Sequence, residues 1–100
     1  MQKALDLRRK LLGEEHPATA ITYNNLAGNL NAQGRYAEAQ PLLQKALDLH
    51  RKLLGEEHSH TATSYSSVAV NLNAQGRYAE AEPLHQKALD LRRKLLGEEH

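Results

Sequence analysis

The sequence predicts an all-α solenoid, a stack of tandem helix-turn-helix units around one shared apolar interior. Three observations carry that expectation. The string QKALDL begins at Gln2, Gln44 and Gln86, so the chain repeats every 42 residues, and a fixed period of roughly 20–50 residues marks a stacked repeat architecture. Within each unit, apolar residues recur at three- and four-residue steps in two separate runs, the spacing of a helix face. Glycines stand where each run stops. Residues 2–43 and 44–85 differ at 11 of 42 positions, and residues 86–100 differ from 44–58 only where Arg92 stands opposite His50.

The whole chain, 1–100, reads as one array: a half-repeat over 1–16, one repeat over 17–58 and a second over 59–100. Residues 1–12 match only the second half of a second helix. The first helix of each unit, helix A, is expected over about 17–33 and 60–75. Pro17 suits a first helical position, and Ser59 or Thr61 is expected to cap the second helix A. Tyr23, Leu26, Ala27 and Leu30 form one apolar stripe, as do Tyr65, Val68, Ala69 and Leu72. Gly34 and Gly76 end these helices, because glycine adopts the left-handed backbone that a tight exit requires.

Helix B follows over about 36–54 and 78–96. Its stripe includes Ala39, Leu42, Leu43, Ala46, Leu47, Leu49, Leu53 and Leu54. Arg51-Lys52 and Arg92-Arg93-Lys94 lie in its last turn, where cations meet the negative end of the helix dipole. These clusters, with Arg8-Arg9-Lys10, are expected to form a ridge on the outer surface. Pro41 and Pro83 fall a little over one turn into helix B, and each removes one backbone hydrogen bond. Leu84, Leu91, Leu95 and Leu96 of the last helix B are expected to lack full shielding, since no helix A follows them.

Composition narrows the function. Forty per cent of the residues are hydrophobic and 25% charged, as in ordinary soluble globular chains. A net charge of +1 provides no field to draw the protein onto nucleic acid or an anionic membrane. With no interleaved aromatics to stack bases, the basic clusters do not read as a nucleic-acid surface. The absence of cysteine removes disulfides, thiolate nucleophiles and zinc-thiolate sites. No apolar run approaches a membrane span, and Met1-Gln2-Lys3-Ala4 is not the start of a signal peptide, which points to a cytoplasmic setting.

At NNLAGNLNAQGRYAEAQPLLQKALDL the chain resembles a tetratricopeptide repeat. Tyr23 stands in the family's aromatic position, Leu26 and Ala27 in its Leu-Gly pair, and Leu30 in the next bulky position. Gly34 and Tyr36 match the turn; Ala39, Leu43 and Ala46 match helix B. Helix B then continues two turns further, a form similar to the repeats of kinesin light chains. The resemblance implies a right-handed superhelix with helices A on its concave wall, and a role in binding proteins. Small residues at Ala27, Ala39, Ala46, Ala69, Ala81 and Ala88 are expected to let helices approach closely.

The resemblance turns inward Ile21, Asn24, Asn25, Gly28 and Asn31 of the first unit and Thr63, Ser66, Ser67, Val70 and Asn73 of the second. No residue from 17 to 33 or from 61 to 75 is charged. Asparagine amides both donate and accept, which suits an extended peptide backbone. Eight of the 11 differences fall between Pro17 and Gly28 or their counterparts, so the frame is copied while the inner wall varies. In some relatives basic groove residues clamp a carboxylate or an acidic cargo peptide. Those charges are missing here, and neither specificity carries over.

Glu56-Glu57-His58-Ser59-His60 holds metal-capable side chains, but in an inter-repeat loop where acidic residues simply favour the start of the next helix. No metal, cofactor or catalytic residue is expected. His85, which replaces Leu43, reads as a polar residue tolerated near an uncovered end. The sequence thus predicts a scaffold that binds a protein or peptide in a neutral groove. The alternative is a self-assembling module, a dimer or longer stack formed through uncapped ends.

Overall fold

The computed structural model describes residues 16–97, and all structural statements below concern these residues. They form four helices and no strand: α1 (Pro17–Ala32), α2 (Tyr36–Leu54), α3 (Ser59–Ala74) and α4 (Tyr78–Leu96). The half-repeat over 1–16 lies outside the described residues, save for His16. Each helix packs on the next in the chain, which makes two helix-turn-helix units side by side in a body of 45 × 30 × 16 Å. This is the all-α solenoid that the period predicts.

Local chemistry sets the helix ends. Gly34 has φ 76° and Gly76 φ 78°, and each closes a Schellman turn. Arg35 N–H donates to the Leu30 carbonyl and Gly34 N–H to that of Asn31, both at 2.9 Å; Arg77 and Gly76 repeat this with Leu72 and Asn73. Carbonyls that a helix end leaves over are thereby satisfied.

The caps at the helix starts differ from expectation. Ser59 and Thr61 do not cap α3. Ser59 is its first residue, and the Thr61 hydroxyl donates to the Gly55 carbonyl at 2.7 Å. The caps are histidines: His16 Nδ1 accepts from Ala18 N–H and His58 Nδ1 from His60 N–H, each at 3.0 Å. The imidazole Nδ1, one bond further from the backbone than a serine hydroxyl, reaches the same orphan amides, so a residue rarely counted as a cap fills the role.

Helix B runs unbroken through its prolines. Pro41 and Pro83 lie on an exposed flank, as do Ala37 and Ala79, so the carbonyls they release face water rather than the core.

The six small positions are buried to 2% exposure or less, so the close approach of helices follows the sequence pattern. One core cluster lies within the first unit, built from Ala20, Tyr23, Leu26, Ala46 and Leu49. The larger one crosses the repeat boundary, joining Leu43 and Leu47 of α2 to Tyr65, Val68 and Leu72 of α3 and Leu91 of α4. Neither unit buries this surface alone, which is why repeats stack. Leu91, expected among the unshielded leucines, is buried in that cluster; Leu89 is exposed with Leu95 and Leu96 instead. The helical phase places Leu91 toward α3 and Leu89 away from it.

A neutral groove and a side pocket between the helices A

The groove is built on the side-by-side placement of α1 and α3. Asn24, Gly28 and Asn31 of α1 line one side, Thr63, Ser66, Ser67 and Val70 of α3 the other, and Leu43 of α2 the floor, around about 260 Å³. Seven of the ten residues named from the sequence therefore come together, and Ile21 lines a neighbouring pocket instead. Asn25 and Asn73 do not line this space. Asn25 is exposed, and Asn73 is tied to His85, its Nδ2 3.0 Å from Nε2 of the ring. His85 is thus a partner for Asn73 rather than a merely tolerated polar residue.

The groove walls carry no formal charge. Gly28 opens this space, since a Cβ built there meets nothing within 4 Å. Ile21 and Val70 are exposed apolar residues on the same helices, Val70 at 57%. The groove therefore offers amides and hydroxyls beside small apolar patches.

Its two walls are held in register by a polar seam. Asn71 is completely buried. Its Nδ2 donates to Asn31 Oδ1 at 3.0 Å and to the Tyr36 carbonyl at 2.9 Å, and its Oδ1 accepts from Gln75 at 2.7 Å. Gln75 and Arg77 both donate to Oε1 of Gln40, at 3.1 and 2.8 Å. Both amide hydrogens of Asn71 are thus satisfied across the repeat boundary, and its oxygen by Gln75 one turn further along the chain. Sequence inspection passed over it because Asn29 and Asn71 are identical and look like surface residues. The signal was available in the invariance of a polar residue inside a variable helix.

At the start of the groove lies a second pocket of about 120 Å³, lined by Ile21, Asn24, His50, His60 and Thr63. Asn24 and Thr63 also line the groove. All five stand at positions where the two repeats differ. His50 is 3% exposed, and its Nδ1 lies 2.6 Å from Ser64 Oγ. Burial holds the His50 pKa below the usual histidine value, with the nearby rings of His60 and His58 adding to the effect. The Ser64–His50 contact is a structural hydrogen bond: Ser64 is 1% exposed and lines neither the groove nor the side pocket. Neither residue was singled out from the sequence as part of a site. The one difference in the helix B tail, His50 against Arg92, was the available clue.

Outside the groove, the loop before α3 is fastened by Glu56. It accepts from the Tyr65 hydroxyl and from Arg51 Nε at 3.0 Å, and Lys87 lies 3.8 Å away. Burial and the bond to Glu56 push the Tyr65 pKa up to about 12. The basic side chains Arg51 and Lys94 pair with Glu56 and Glu57. Among the described residues, no helix is long and apolar enough to cross a membrane.

A comparison with curated proteins returned no match. Two family models, both described as tetratricopeptide repeat, match residues 20–94 and 1–18. The paired helices, the alanine contacts, the Schellman turns and these matches agree: the chain belongs to the tetratricopeptide repeat family, in the long-repeat form typical of kinesin light chains.

Proposed function

We infer that the chain is an interaction scaffold that holds an extended, uncharged stretch of a partner protein between α1 and α3. Repeats of this family mediate protein–protein interaction. The observation that carries the finer reading is the groove itself: seven of its eight lining positions differ between the two repeats, whereas the alanine contacts that pack the helices are copied. Recognition varies on an unvarying frame. Selection from a random peptide display library on immobilised protein tests it. Gly28→Val, which places the second unit's residue in the first, is expected to abolish capture by filling the groove. Equal capture by both proteins would remove the groove from consideration.

A second reading, self-association, is favoured by the polar seam. Asn71, Gln75 and Arg77 dock on Asn31, the Tyr36 carbonyl and Gln40. The counterparts Asn29, Gln33 and Arg35 are exposed on α1 and its exit turn, and Asn73, Tyr78 and Glu82 stand at the corresponding places on the second unit. Two copies can therefore meet through the same contacts that join the repeats, with Arg35 facing a carboxylate in place of Gln40. Such a head-to-tail contact joins two copies as a dimer and further copies as a longer stack. Light scattering across a hundredfold dilution is expected to show mass falling toward the 11.2 kDa monomer. An 11.2 kDa species at every concentration contradicts this reading.

A further inference from the structure

The side pocket between α1, α2 and α3 contains a hydrogen-bond donor and an acceptor that the protein does not satisfy. Buried Nε2 of His50 and buried Oδ1 of Asn24 have no partner among the described residues, and both residues line the pocket. A buried polar atom without a partner is energetically costly, so two such atoms facing one pocket call for a ligand.

The hydrogen-bond network assigns their roles. Thr22, Thr63 and Ser67 give their hydroxyl protons to the carbonyl four residues back. Ser64 does not, and its side chain bonds only to His50 Nδ1 among the described residues. The Ser64 hydroxyl therefore donates to Nδ1, which leaves the ring hydrogen on Nε2. His50 Nε2–H is a donor and Asn24 Oδ1 an acceptor.

We propose that this pocket takes the side-chain carboxamide of a glutamine or asparagine in the bound segment, its oxygen accepting from His50 Nε2–H and its NH2 donating to Asn24 Oδ1. The proposal rests on the groove reading, since Asn24 and Thr63 border both spaces and a segment in the groove passes the pocket mouth. Other chemistries match less well. A carboxylate has only acceptors to set against Asn24 Oδ1, and an ammonium only donors to set against Nε2–H. A hydroxyl must serve both side chains from one oxygen, whereas a carboxamide brings a separate acceptor and donor. Ile21 supplies apolar surface for the aliphatic stem. Every lining position departs from its counterpart in the other repeat, including His50, the one change in an otherwise thrice-copied helix tail. Structural drift has no reason to concentrate there.

The test uses three small probes of similar size, propionamide, propionate and 1-propanol, titrated into the full chain at pH 7.5 and followed by nuclear magnetic resonance. Propionamide is expected to shift the His50 ring and Asn24 side-chain signals saturably, in the roughly millimolar range open to a five-atom ligand. The other two should bind at least ~10-fold more weakly. Asn24→Ser, which carries the second unit's residue, should lose the response while its circular dichroism stays helical; Ser64→Ala, which releases the ring from its fixed tautomer, should weaken it. Propionate or propanol binding as well as propionamide would overturn the assignment, as would no saturable shift up to 100 mM, which would mark a site for water alone. These probes do not need the groove. Loss of peptide capture with propionamide binding intact would remove the groove reading, and the reverse would remove the pocket.

Discussion

Gly28 weakens the helix that contains it. It lies in the interior of α1 with open space where a Cβ would stand, so nothing in the packing demands glycine. Gly28→Ala is expected to raise unfolding free energy by about 0.8–1 kcal/mol, the helix-propensity difference, in a urea titration. No gain would show that the backbone needs glycine and that the opening is incidental. Ala46 is the opposite case: it is fully buried between α1 and α2 among Tyr23, Leu26 and Leu49. Ala46→Phe should destabilise by ~1–3 kcal/mol through overpacking, and an unchanged melting temperature would place Ala46 away from the core. For His50, the folded pKa lies below the 6.5 of an unperturbed ring. Between those values the unfolded chain binds more protons, so stability is intact above pH 6.5 and falls as pH drops toward the folded value. Thermal midpoints from pH 8 to 5 should decline less steeply for His50→Gln. Parallel curves would show that His50 does not carry this pH dependence.

Between elements, the polar seam decides register. Asn71→Ala leaves the Tyr36 carbonyl and Asn31 without their buried donor and should cost about 1–3 kcal/mol. Asn29→Ala, on the exposed counterpart, should stay within about 0.5 kcal/mol. Equal effects measured by denaturant titration would mean that the seam does not join the repeats. The two sites show what a sequence displays and what it conceals. Helix positions and most boundaries were legible, because period, stripe and glycine all agree locally. The groove was largely legible too, through family geometry and the clustering of differences. The histidine caps, the buried role of Asn71 and the His50 pocket were not, because each depends on a side chain meeting an atom in another turn or helix. Asn29 and Asn71 are the same residue in the same local sequence, and only the neighbouring repeat makes one buried.

At the scale of the molecule, the uncharged walls α1 and α3 stand opposite outer surfaces rich in arginine, lysine and glutamate, where ion pairs such as Lys94–Glu57 at 2.6 Å lie in solvent. Such exposed pairs add little to stability. A partner held on the uncharged wall is governed by shape and hydrogen bonding, and one held on the outer ridge by salt. The measurement that separates them is nuclear magnetic resonance mapping of a library-selected peptide, with affinity recorded at 50 and 500 mM salt. The account predicts shifts centred on Asn24, Gly28, Ser66 and Val70, with affinity changing less than about threefold, since the walls carry no charge to screen. Shifts centred on Arg51, Lys52 and Arg93, with affinity falling steeply as salt rises, would contradict it.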